Sequence, residues 1–438
     1  MNDRRVGPTL NPPLADLSVM AGLLACCCAL LVVPAAAQQE KTVHLEHADS
    51  LIGLTVDGEA ARQLVGNVRF TQGTVEVRCQ RAIQYLSTNR IALEGTPEVF
   101  DGKMHMVATR GMYYGDTKTA EGFDRVMIEE STTTLKARYG KYFAQEKKAY
   151  FDTDVNVEDK QSVLTSNKFT YFREEQRTIA EGNVKILSRT NNVTIYGDHF
   201  ENFKKRKFSR MTGHPRLLDI DPSGPGRFDT LTVEGGVLES YQDSTERLVA
   251  QDSVHLRRGS LVAEAGQCVM FTQLDSLILR KSPFVWYADS AADRNQLSGD
   301  SIFIKLRDRK LQTVFVRGSA FAISTTDSMY PARYNQMSGE EIIFHFDSSK
   351  IRQIDVDRTA TSMYYLYEDR KGNGMNKTTG DHVTLVFKEG RFDKLRALSG
   401  VEGQYYPEKM IRSKEADYNL TGFNWREPKP RTPMVKKK

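Results

Sequence analysis

Cysteine is scarce in this chain, and its distribution excludes a disulfide framework. Three of the five cysteines, Cys26, Cys27 and Cys28, stand together near the N-terminus. The other two, Cys79 and Cys268, lie far apart, and the body has no Cys-x-x-Cys pair for zinc or redox chemistry. We therefore interpret Cys79 and Cys268 as small side chains of a buried core.

The body of the chain also lacks a surplus of either charge. The 61 basic and 56 acidic residues give a net charge of +5, and this excess falls within residues 426–438. Residues 38–425 carry equal numbers of both signs, so they offer no basic surface for nucleic-acid phosphates, and we expect no nucleic-acid partner. Residues 426–438, rich in proline and lysine, are predicted to form a basic disordered tail.

Motifs that carry chemistry are missing as well. The sequence contains no Gly-x-Ser-x-Gly, no P-loop and no dinucleotide-binding fingerprint. Its histidines and carboxylates do not recur at the spacing of a metal centre or an acid–base pair. We therefore expect that the protein is not an enzyme and that it needs no cofactor.

A single long apolar run, residues 17–33, follows two arginines and ends in Pro34-Ala35-Ala36-Ala37. This order of a basic leader, an apolar segment and small residues is typical of an export signal. We predict a signal peptide over residues 1–37, cleavage before Gln38 and a periplasmic location, with association to the outer membrane as a variant. A retained spanning helix and a lipoprotein attached through Cys26 stay open as alternatives.

The rest of the chain is a repeat. A phrase that starts with a small residue, followed by apolar or aromatic positions, recurs about ten times at intervals of 29–41 residues. Its copies begin at Cys79, Ala108, Ala137, Ser166, Gly197, Gly235, Ala265, Gly299, Gly339 and Gly380. A regular spacing that later drifts is what loop insertions produce in a stacked array.

Within each repeat, apolar and polar residues alternate with the period of a β-strand. We expect Val75, Val77, Ile83 and Tyr85 to face inward, between outward Glu76, Arg78 and Gln84. Turn residues separate the strands. The pattern predicts an all-β fold: an elongated antiparallel β-jelly roll of two facing sheets, built from about ten repeats.

The strands predicted by this pattern are about a dozen residues long, twice the usual length. We expect each of them to bend from one sheet to the other at a small residue such as Ala82, Gly111 or Gly140. The cluster Asp221-Pro-Ser-Gly-Pro-Gly226 has two interpretations. It either divides two jelly rolls, residues 38–220 and 227–425, or forms one long hairpin loop.

Two segments carry a family resemblance: Gly66-Asn-Val-Arg-Phe-Thr-Gln-Gly-Thr-Val-Glu-Val-Arg-Cys79 and Ile179-Ala-Glu-Gly-Asn-Val-Lys-Ile186. They resemble the OstA-like family, which includes the periplasmic bridge proteins of lipopolysaccharide transport and the N-terminal domain of their outer-membrane translocon. The similarity is clearest over residues 45–220 and looser over 227–425. The array is about twice as long as one bridge subunit. Since only the basic segment 426–438 comes after it, we expect the bridge type rather than the translocon type.

The resemblance implies a jelly-roll groove that shields lipopolysaccharide acyl chains between the inner and outer membranes, without catalysis. Burying acyl carbon stabilises a complex by ~0.8 kcal/mol per CH₂. The implied partners are inner-membrane and outer-membrane lipopolysaccharide-transport proteins of the same fold, joined end to end by strand pairing, or further copies of this chain. The candidate acyl-contacting residues are Val68, Phe70, Val75, Val77, Ile83, Tyr85, Leu135, Phe143, Val184, Ile186, Val193 and Ile195. The alternative function is a structural or adhesive surface β-solenoid with a filled core.

Overall fold

The computed structural model describes residues 42–428 except 225–226, 289–293, 308–309, 348–349 and 389–390. The predicted signal peptide, residues 1–37, lies outside the described residues, as do residues 429–438 of the predicted tail. Almost all of the described chain is β-structure, which confirms the predicted all-β, jelly-roll-like fold. Within the residues that the structure describes, helical structure is confined to one four-residue α-helix and three single 3₁₀ turns.

The strands follow one another through the whole described chain. They are β1 (His44–His47), β2 (Ser50–Val56), β3 (Glu59–Gln72), β4 (Val75–Tyr85), β5 (Arg90–Glu94), β6 (Glu98–Asp101), β7 (Met104–Val107), β8 (Arg110–Tyr114), β9 (Thr119–Glu130), β10 (Thr133–Phe143), β11 (Lys148–Glu158), β12 (Ser162–Phe172), β13 (Arg177–Ser188), β14 (Val193–Phe203), β15 (Phe208–Thr212), β16 (Arg216–Gly224), β17 (Arg227–Glu234), β18 (Val237–Tyr241), β19 (Arg247–Arg258), β20 (Leu261–Phe271), β21 (Ser276–Arg280), β22 (Phe284–Ala288), β23 (Arg294–Ser298), β24 (Ser301–Arg307), β25 (Lys310–Thr325), β26 (Tyr334–Asp347), β27 (Lys350–Glu368), β28 (Lys371–Lys388), β29 (Arg391–Leu398) and β30 (Glu402–Tyr406). The helix α1 (Glu408–Ile411) follows, and the 3₁₀ turns are Lys204–Arg206, Thr272–Leu274 and Glu415–Tyr418.

All strands join one antiparallel hydrogen-bonded ladder that is folded into two layers. A long strand that borders short strands pairs with different ones along its two halves: the first half of β4 pairs with β6, and its second half pairs with β5. Long strands between long neighbours, such as β11, keep the same partners along both halves. Layer 1 contains β1, β6, β7, β16, β17, β22, β23 and β30, and layer 2 contains β2, β5, β8, β15, β18, β21, β24 and β29. The strands β3, β4, β9–β14, β19, β20 and β25–β28 each contribute one half to either layer.

The layers meet at a bend formed by two consecutive residues with positive φ. The pairs include Gly66-Asn67, Gly95-Thr96, Asp124-Arg125, Thr153-Asp154 and Gly182-Asn183, each 29 residues after the last. Later pairs, at intervals of 29–40 residues, include Gly213-His214, Asp252-Ser253, Lys281-Ser282, Gly318-Ser319 and Arg358-Thr359. Where such a pair lies within a long strand, as Gly66-Asn67 does in β3, it is a bulge that faces a single residue on the next strand, and such bulges sharpen the bend of a strand. Gly95-Thr96 and Gly213-His214 instead lie between two short strands.

The expectation that the chain bends at Ala82, Gly111 and Gly140 is therefore wrong in its detail. The bulge of Gly66-Asn67 faces Gln80, two residues before Ala82. The glycines are needed for close packing: a Cβ on Gly140 would come within 2.8 Å of Val126, and one on Gly111 within 2.8 Å of the Glu121 carbonyl oxygen. Small residues thus let the layers approach beside a bend that the neighbouring strand makes.

The alternation of inward and outward side chains also reverses at the bend, as β4 shows. Val75 and Val77 are buried as predicted, and Cys79 continues this alternation, but the next buried residue of β4 is Ala82, three positions after Cys79. Ile83 and Tyr85 are only half-buried and lie on the face opposite to Ala82, so the prediction that they face inward is wrong. Gln84, which we expected to point outward, shares the face of Ala82.

Strand β16, which ends at Gly224, and strand β17, which begins at Arg227, pair with each other, so the ladder continues from one to the other. Residues 225–226 of the Asp221–Gly226 cluster lie outside the described residues. Buried apolar residues form one core from Val43 to Met211 and a second from Leu217 to Leu385. Ile195 and Leu238 pack against both cores. Independent folding of residues 38–220 and 227–425 stays a prediction.

Candidate functional site

A cavity of about 570 Å³ lies between the two layers in the C-terminal part of the described chain. Its walls come from strands β20 and β22–β28. The residues that line it are Leu261, Val285, Tyr287, Asn295, Leu297, Ile304, Leu311, Val314, Ala322, Ile323, Ser324, Thr325, Asn335, Met337, Phe344, Phe346, Lys350, Ile351, Ile354, Ser362, Met363, Tyr364, Leu385 and Phe387. A cavity of this size and apolar character is typical of a small-molecule or lipid site.

The two walls differ in polarity. The layer 2 wall is apolar, with Val314, Phe344 and Leu385 among its residues, except for the exposed Lys350. The layer 1 wall is apolar beside the bend, where Leu297, Ala322 and Met337 lie on neighbouring strands.

Near the free ends of the layer 1 strands the same wall becomes polar. Asn295, Ser324 and Asn335 lie side by side there and are half-buried. The backbone of the neighbouring strand β27 orients Asn335, because the Asn335 Oδ1 accepts a hydrogen bond from the Tyr365 N–H at 3.0 Å. The arrangement is an apolar slot with neutral hydrogen-bonding groups and one cation at its mouth.

Small residues in two repeats create this slot. The inward positions that follow the bend at Gly66-Asn67 are Val68, Phe70 and Gln72, but those that follow Gly318-Ser319 are Ala320, Ala322 and Ser324. After Arg358-Thr359 the inward residues are Ala360 and Ser362. The substitution of alanine and serine for valine and phenylalanine at equivalent positions removes side-chain volume from the interior. This signal is readable in the repeat, and our sequence reasoning missed it.

The N-terminal part of the interior is filled and sealed. Phe70 and Leu64 are 0% exposed. Along the edge opposite the bends, polar side chains connect the layers: Tyr113 Oη donates to Gln72 Oε1 at 2.7 Å, and Tyr142 Oη donates to Asp101 Oδ2 at 2.6 Å. We call this edge, with Gln72, Asp101, Tyr113, Tyr142 and Lys147, the seam.

Asp101 is the centre of the seam. It is 3% exposed, and Lys147 Nζ lies 2.5 Å from its Oδ2 while Thr74 donates to its Oδ1 at 3.0 Å. Burial raises the pKa of Asp101, but the hydrogen bonds from Lys147, Tyr142 and Thr74 outweigh burial and hold its pKa below the ordinary value. Burial and the nearby Asp101 carboxylate in turn raise the pKa of Tyr142. The seam is thus held by a charged, fully partnered cluster.

The twelve predicted acyl-contacting residues do not line the large cavity. Six are buried in the filled core: Val68, Phe70, Val75, Val77, Leu135 and Val184. Ile186, Val193 and Ile195 are half-buried and pack against the cores, and Ile195 also lines a second apolar cavity of about 40 Å³. Ile83, Tyr85 and Phe143 lie beyond the bends on outer faces, and cations cover two of these rings: Arg90 lies over Tyr85, and Lys141 and Lys148 over Phe143.

The outer face of layer 1, behind the cavity, is covered by the C-terminal segment 407–427, which we call the strap. Ile411 and Leu420 of the strap are buried in a third apolar cluster with Phe321, Ile323, Met363, Tyr365 and Met375 of layer 1. Half-buried Phe423 and Trp425 pack on Tyr334. Arg426 and Glu427, which we had placed in a disordered tail, belong to this ordered segment.

Buried polar side chains fasten the strap. Arg333 is 1% exposed and pairs with Glu408 at 2.7 Å and Glu415 at 3.3 Å. The hydrogen bonds from Arg333 hold the pKa of Glu408 below its ordinary value. Gln336 bonds Asn419 at 2.5 Å and accepts the Leu420 N–H at 2.9 Å.

Gln296 fastens the other end of the strap. Its Nε2 donates to the Asn424 carbonyl oxygen at 2.6 Å, and its Oε1 accepts the Arg426 N–H at 2.9 Å. The adjacent Trp286 Nε1 donates to the Arg426 carbonyl oxygen at 2.7 Å. Each of the two glutamines therefore holds the strap backbone or side chains with both ends of its amide.

Two further observations concern the described residues alone. Within them, no group of three or more histidine, cysteine, aspartate or glutamate side chains is placed to bind a metal ion. In the same part of the chain, no helix has the length and apolar character needed to cross a membrane.

The fold and the cavity define a class: a two-layer, bent-strand β-protein with an apolar slot between its layers. Residues 40–198 match the family model described as OstA-like protein. This match confirms, over that segment, the resemblance inferred from the repeats. No curated protein matches the chain.

Proposed function

We propose that this protein is a non-enzymatic, lipopolysaccharide-binding bridge or chaperone of the periplasm. In this role it carries lipopolysaccharide from the inner to the outer membrane for outer-membrane assembly. The observation that carries the proposal is the apolar cavity between the layers. The match of residues 40–198 to the OstA-like family supports a role in lipid transport.

The chemistry of the cavity suits an acylated amphiphile. Acyl chains would lie on the apolar layer 2 wall, where each buried CH₂ contributes ~0.8 kcal/mol. The polar groups that join the chains would meet Asn295, Ser324 and Asn335, and an anionic headgroup would meet Lys350 at the mouth. Binding and release of a lipid need no bond to form or break, so the proposal requires no catalytic group.

The buried ones among the predicted acyl-contacting residues of the N-terminal repeats lie in the same space between the layers as the cavity, further toward the N-terminal end. Val68, Phe70 and Val77 face the space between the layers but are sealed behind the seam. We propose that lipid contacts this part of the interior only when the seam opens.

The ends of the ladder suit partners of the same fold. Strand β2 at the N-terminal end carries no charge, and its Leu51 and Ile52 are 50% and 55% exposed. At the other end, Leu398, Val401 and Tyr405 on or between β29 and β30 are more than half exposed. Unprotected edge strands with exposed apolar residues are sites for strand addition. We propose that inner-membrane and outer-membrane transport proteins, or further copies of this chain, pair with these edges.

Copurified lipid tests the proposal. The protein expressed with its leader in a Gram-negative host should be recovered from the periplasm with bound lipopolysaccharide that mass spectrometry identifies. Ala322→Phe should abolish most of this lipid, because it restores in the cavity the residue that Phe70 provides at the equivalent position of the filled repeat. Ala60→Phe, at an exposed position, is the control and should keep the lipid. Recovery of equal lipid with both variants would refute the cavity as the binding site.

A charge on the edge strand tests the partner proposal. Ile52→Lys leaves the core untouched, since this side chain is 55% exposed, but it places an ammonium group on the edge of β2. Sedimentation velocity should show concentration-dependent end-to-end association for the wild type and a loss of it for the variant. Association that persists unchanged in Ile52→Lys would contradict pairing through β2.

A further inference from the structure

The wall of the cavity and the seat of the strap are the two faces of the same strands. Side chains of a β-strand alternate between its faces. Gln336, which holds the strap, stands between Asn335 and Met337, which line the cavity. Gln296 likewise stands between Asn295 and Leu297.

The strands between these glutamines show the same division. Phe321 packs under the strap and Ala322 lines the cavity. On the next strand of the wall, Tyr365 packs under the strap, and its backbone N–H donates to Asn335 of the cavity wall. Layer 1 is therefore covered on both sides here, by the cavity on one face and by the strap on the other, which sets it apart from a sheet with one wet face.

We propose that the strap is a positioning element for the lipid cavity, with Gln296, Gln336 and Arg333 as its anchoring residues. This inference rests on the proposed lipid-binding function. While the strap is docked, the outer face of layer 1 is buried and the layer stays apart from layer 2. Release of the strap exposes Phe321, Tyr365 and Met375 to water, and layer 1 loses the packing that holds its strands in place as a cavity wall.

Docking of the strap and binding of lipid are thus positively coupled. Coupling between two sites is reciprocal, so lipid must protect the strap by the same factor by which the docked strap strengthens lipid binding. Substitution of the anchors Gln296 and Gln336 releases the strap without altering a residue that lines the cavity, so its effect on lipid binding reports the coupling alone. A strap that merely stabilised the fold would show neither effect.

Two measurements on the full chain test this coupling. The first is amide hydrogen exchange of residues 408–426 in the wild type, with and without purified lipid A. Bound lipid A should slow exchange in this segment. The second is the affinity for lipid A, measured by displacement of the fluorophore N-phenyl-1-naphthylamine, in the double variant Gln296→Ala and Gln336→Ala. Exchange of the strap should rise in this variant, and lipid A affinity should fall roughly tenfold.

Ser166→Ala is the control, because Ser166 is a buried polar side chain that donates to the Lys168 carbonyl oxygen at 2.9 Å and belongs to neither the cavity, the seam nor the strap. Its lipid A affinity should stay within about twofold of the wild type. If lipid A binds the wild type but leaves strap exchange unchanged, or if the released strap leaves affinity unchanged, the coupling is refuted and the lipid-binding function stands. If strap exchange does not rise in the double variant, the glutamines are not its anchors. If the wild type does not bind lipid A, the proposed function fails and this inference with it.

Discussion

Asp101 offers a direct measure of how firmly the seam closes the N-terminal interior. The substitution Asp101→Asn keeps the shape of the side chain and removes its charge. Three donors, Lys147, Tyr142 and Thr74, converge on this carboxylate at 2.5–3.0 Å. An amide cannot accept from all of them, since it presents one oxygen and a donor nitrogen.

The expected cost follows from burial and charge. Hydrogen bonds to a charged group contribute about 1.5–3 kcal/mol each, and neutral ones about 0.5–1.5 kcal/mol. The side chain of Lys147 is 29% exposed, so water relieves part of the loss. We expect Asp101→Asn to lower the free energy of unfolding by about 2–3 kcal/mol at pH 7.

Urea unfolding followed by circular dichroism measures this difference. Asp124→Asn is the control, because Asp124 pairs with Arg110 at 2.9 Å with both side chains 65% exposed, and it should cost less than about 0.5 kcal/mol. The pKa of Asp101 is lowered in the folded protein, so its contribution is present above the ordinary pKa and is lost as the pH falls through the folded value. The gap between wild type and Asp101→Asn should therefore narrow below about pH 4. Equal losses of unfolding free energy in Asp101→Asn and Asp124→Asn would contradict a stabilising charged seam at Asp101. A difference between wild type and Asp101→Asn that does not change with pH would contradict it as well.

The remaining predictions concern the core, the thiols and the strap. Val77→Asp, at 1% exposure, should lower the free energy of unfolding by about 3–5 kcal/mol, and Glu76→Lys by less than about 1 kcal/mol; equal effects in urea unfolding would show that the strand register is wrong. Burial raises the pKa of Cys79 to about 11 and that of Cys268 to about 12, so peptide mapping should find neither labelled by Ellman's reagent at pH 8 until urea is added. The arginine partner of Glu408 lowers its pKa, so the strap should be fully held above about pH 4.5 and loosen as the pH falls further; exchange rates corrected for pH that stay constant would contradict this.

The sequence predicted the features that rest on local chemistry. Alternation from Val75 to Cys79 and from Ile302 to Ile304 identified buried strand faces, because a period of two has one structural meaning. Turn residues separate the strands as the pattern predicts, for example Gly73 between β3 and β4. The repeat spacing matched the 29-residue interval of the bends.

The sequence did not predict the features that depend on long-range contacts or on positive φ angles. The bends at Thr153-Asp154 and Arg358-Thr359 contain no glycine, so composition does not mark the positive φ angles. The alternation of inward and outward side chains reverses beyond a bend. Extending a constant period of two through β4 therefore placed Ile83 and Tyr85 on the wrong face. The sequence did not predict that Gln336 is buried and holds the strap, because its partner Leu420 lies 84 residues further along the chain.

Photo-crosslinking of lipid from the cavity wall tests the central claim most directly. Benzoylphenylalanine at Phe344, whose side chain lines the cavity, should capture lipopolysaccharide in the periplasm. The control position is Phe315 on β25, which comes directly after Val314, the residue that pairs with Phe344. Phe315 stacks on Phe303 at the outer face of layer 2, so the same group there should capture none. Capture at Phe70 would show that the seam opens during transport. Capture from Phe315 as strongly as from Phe344, or from neither position, would contradict a lipid carrier and favour the structural or adhesive β-solenoid.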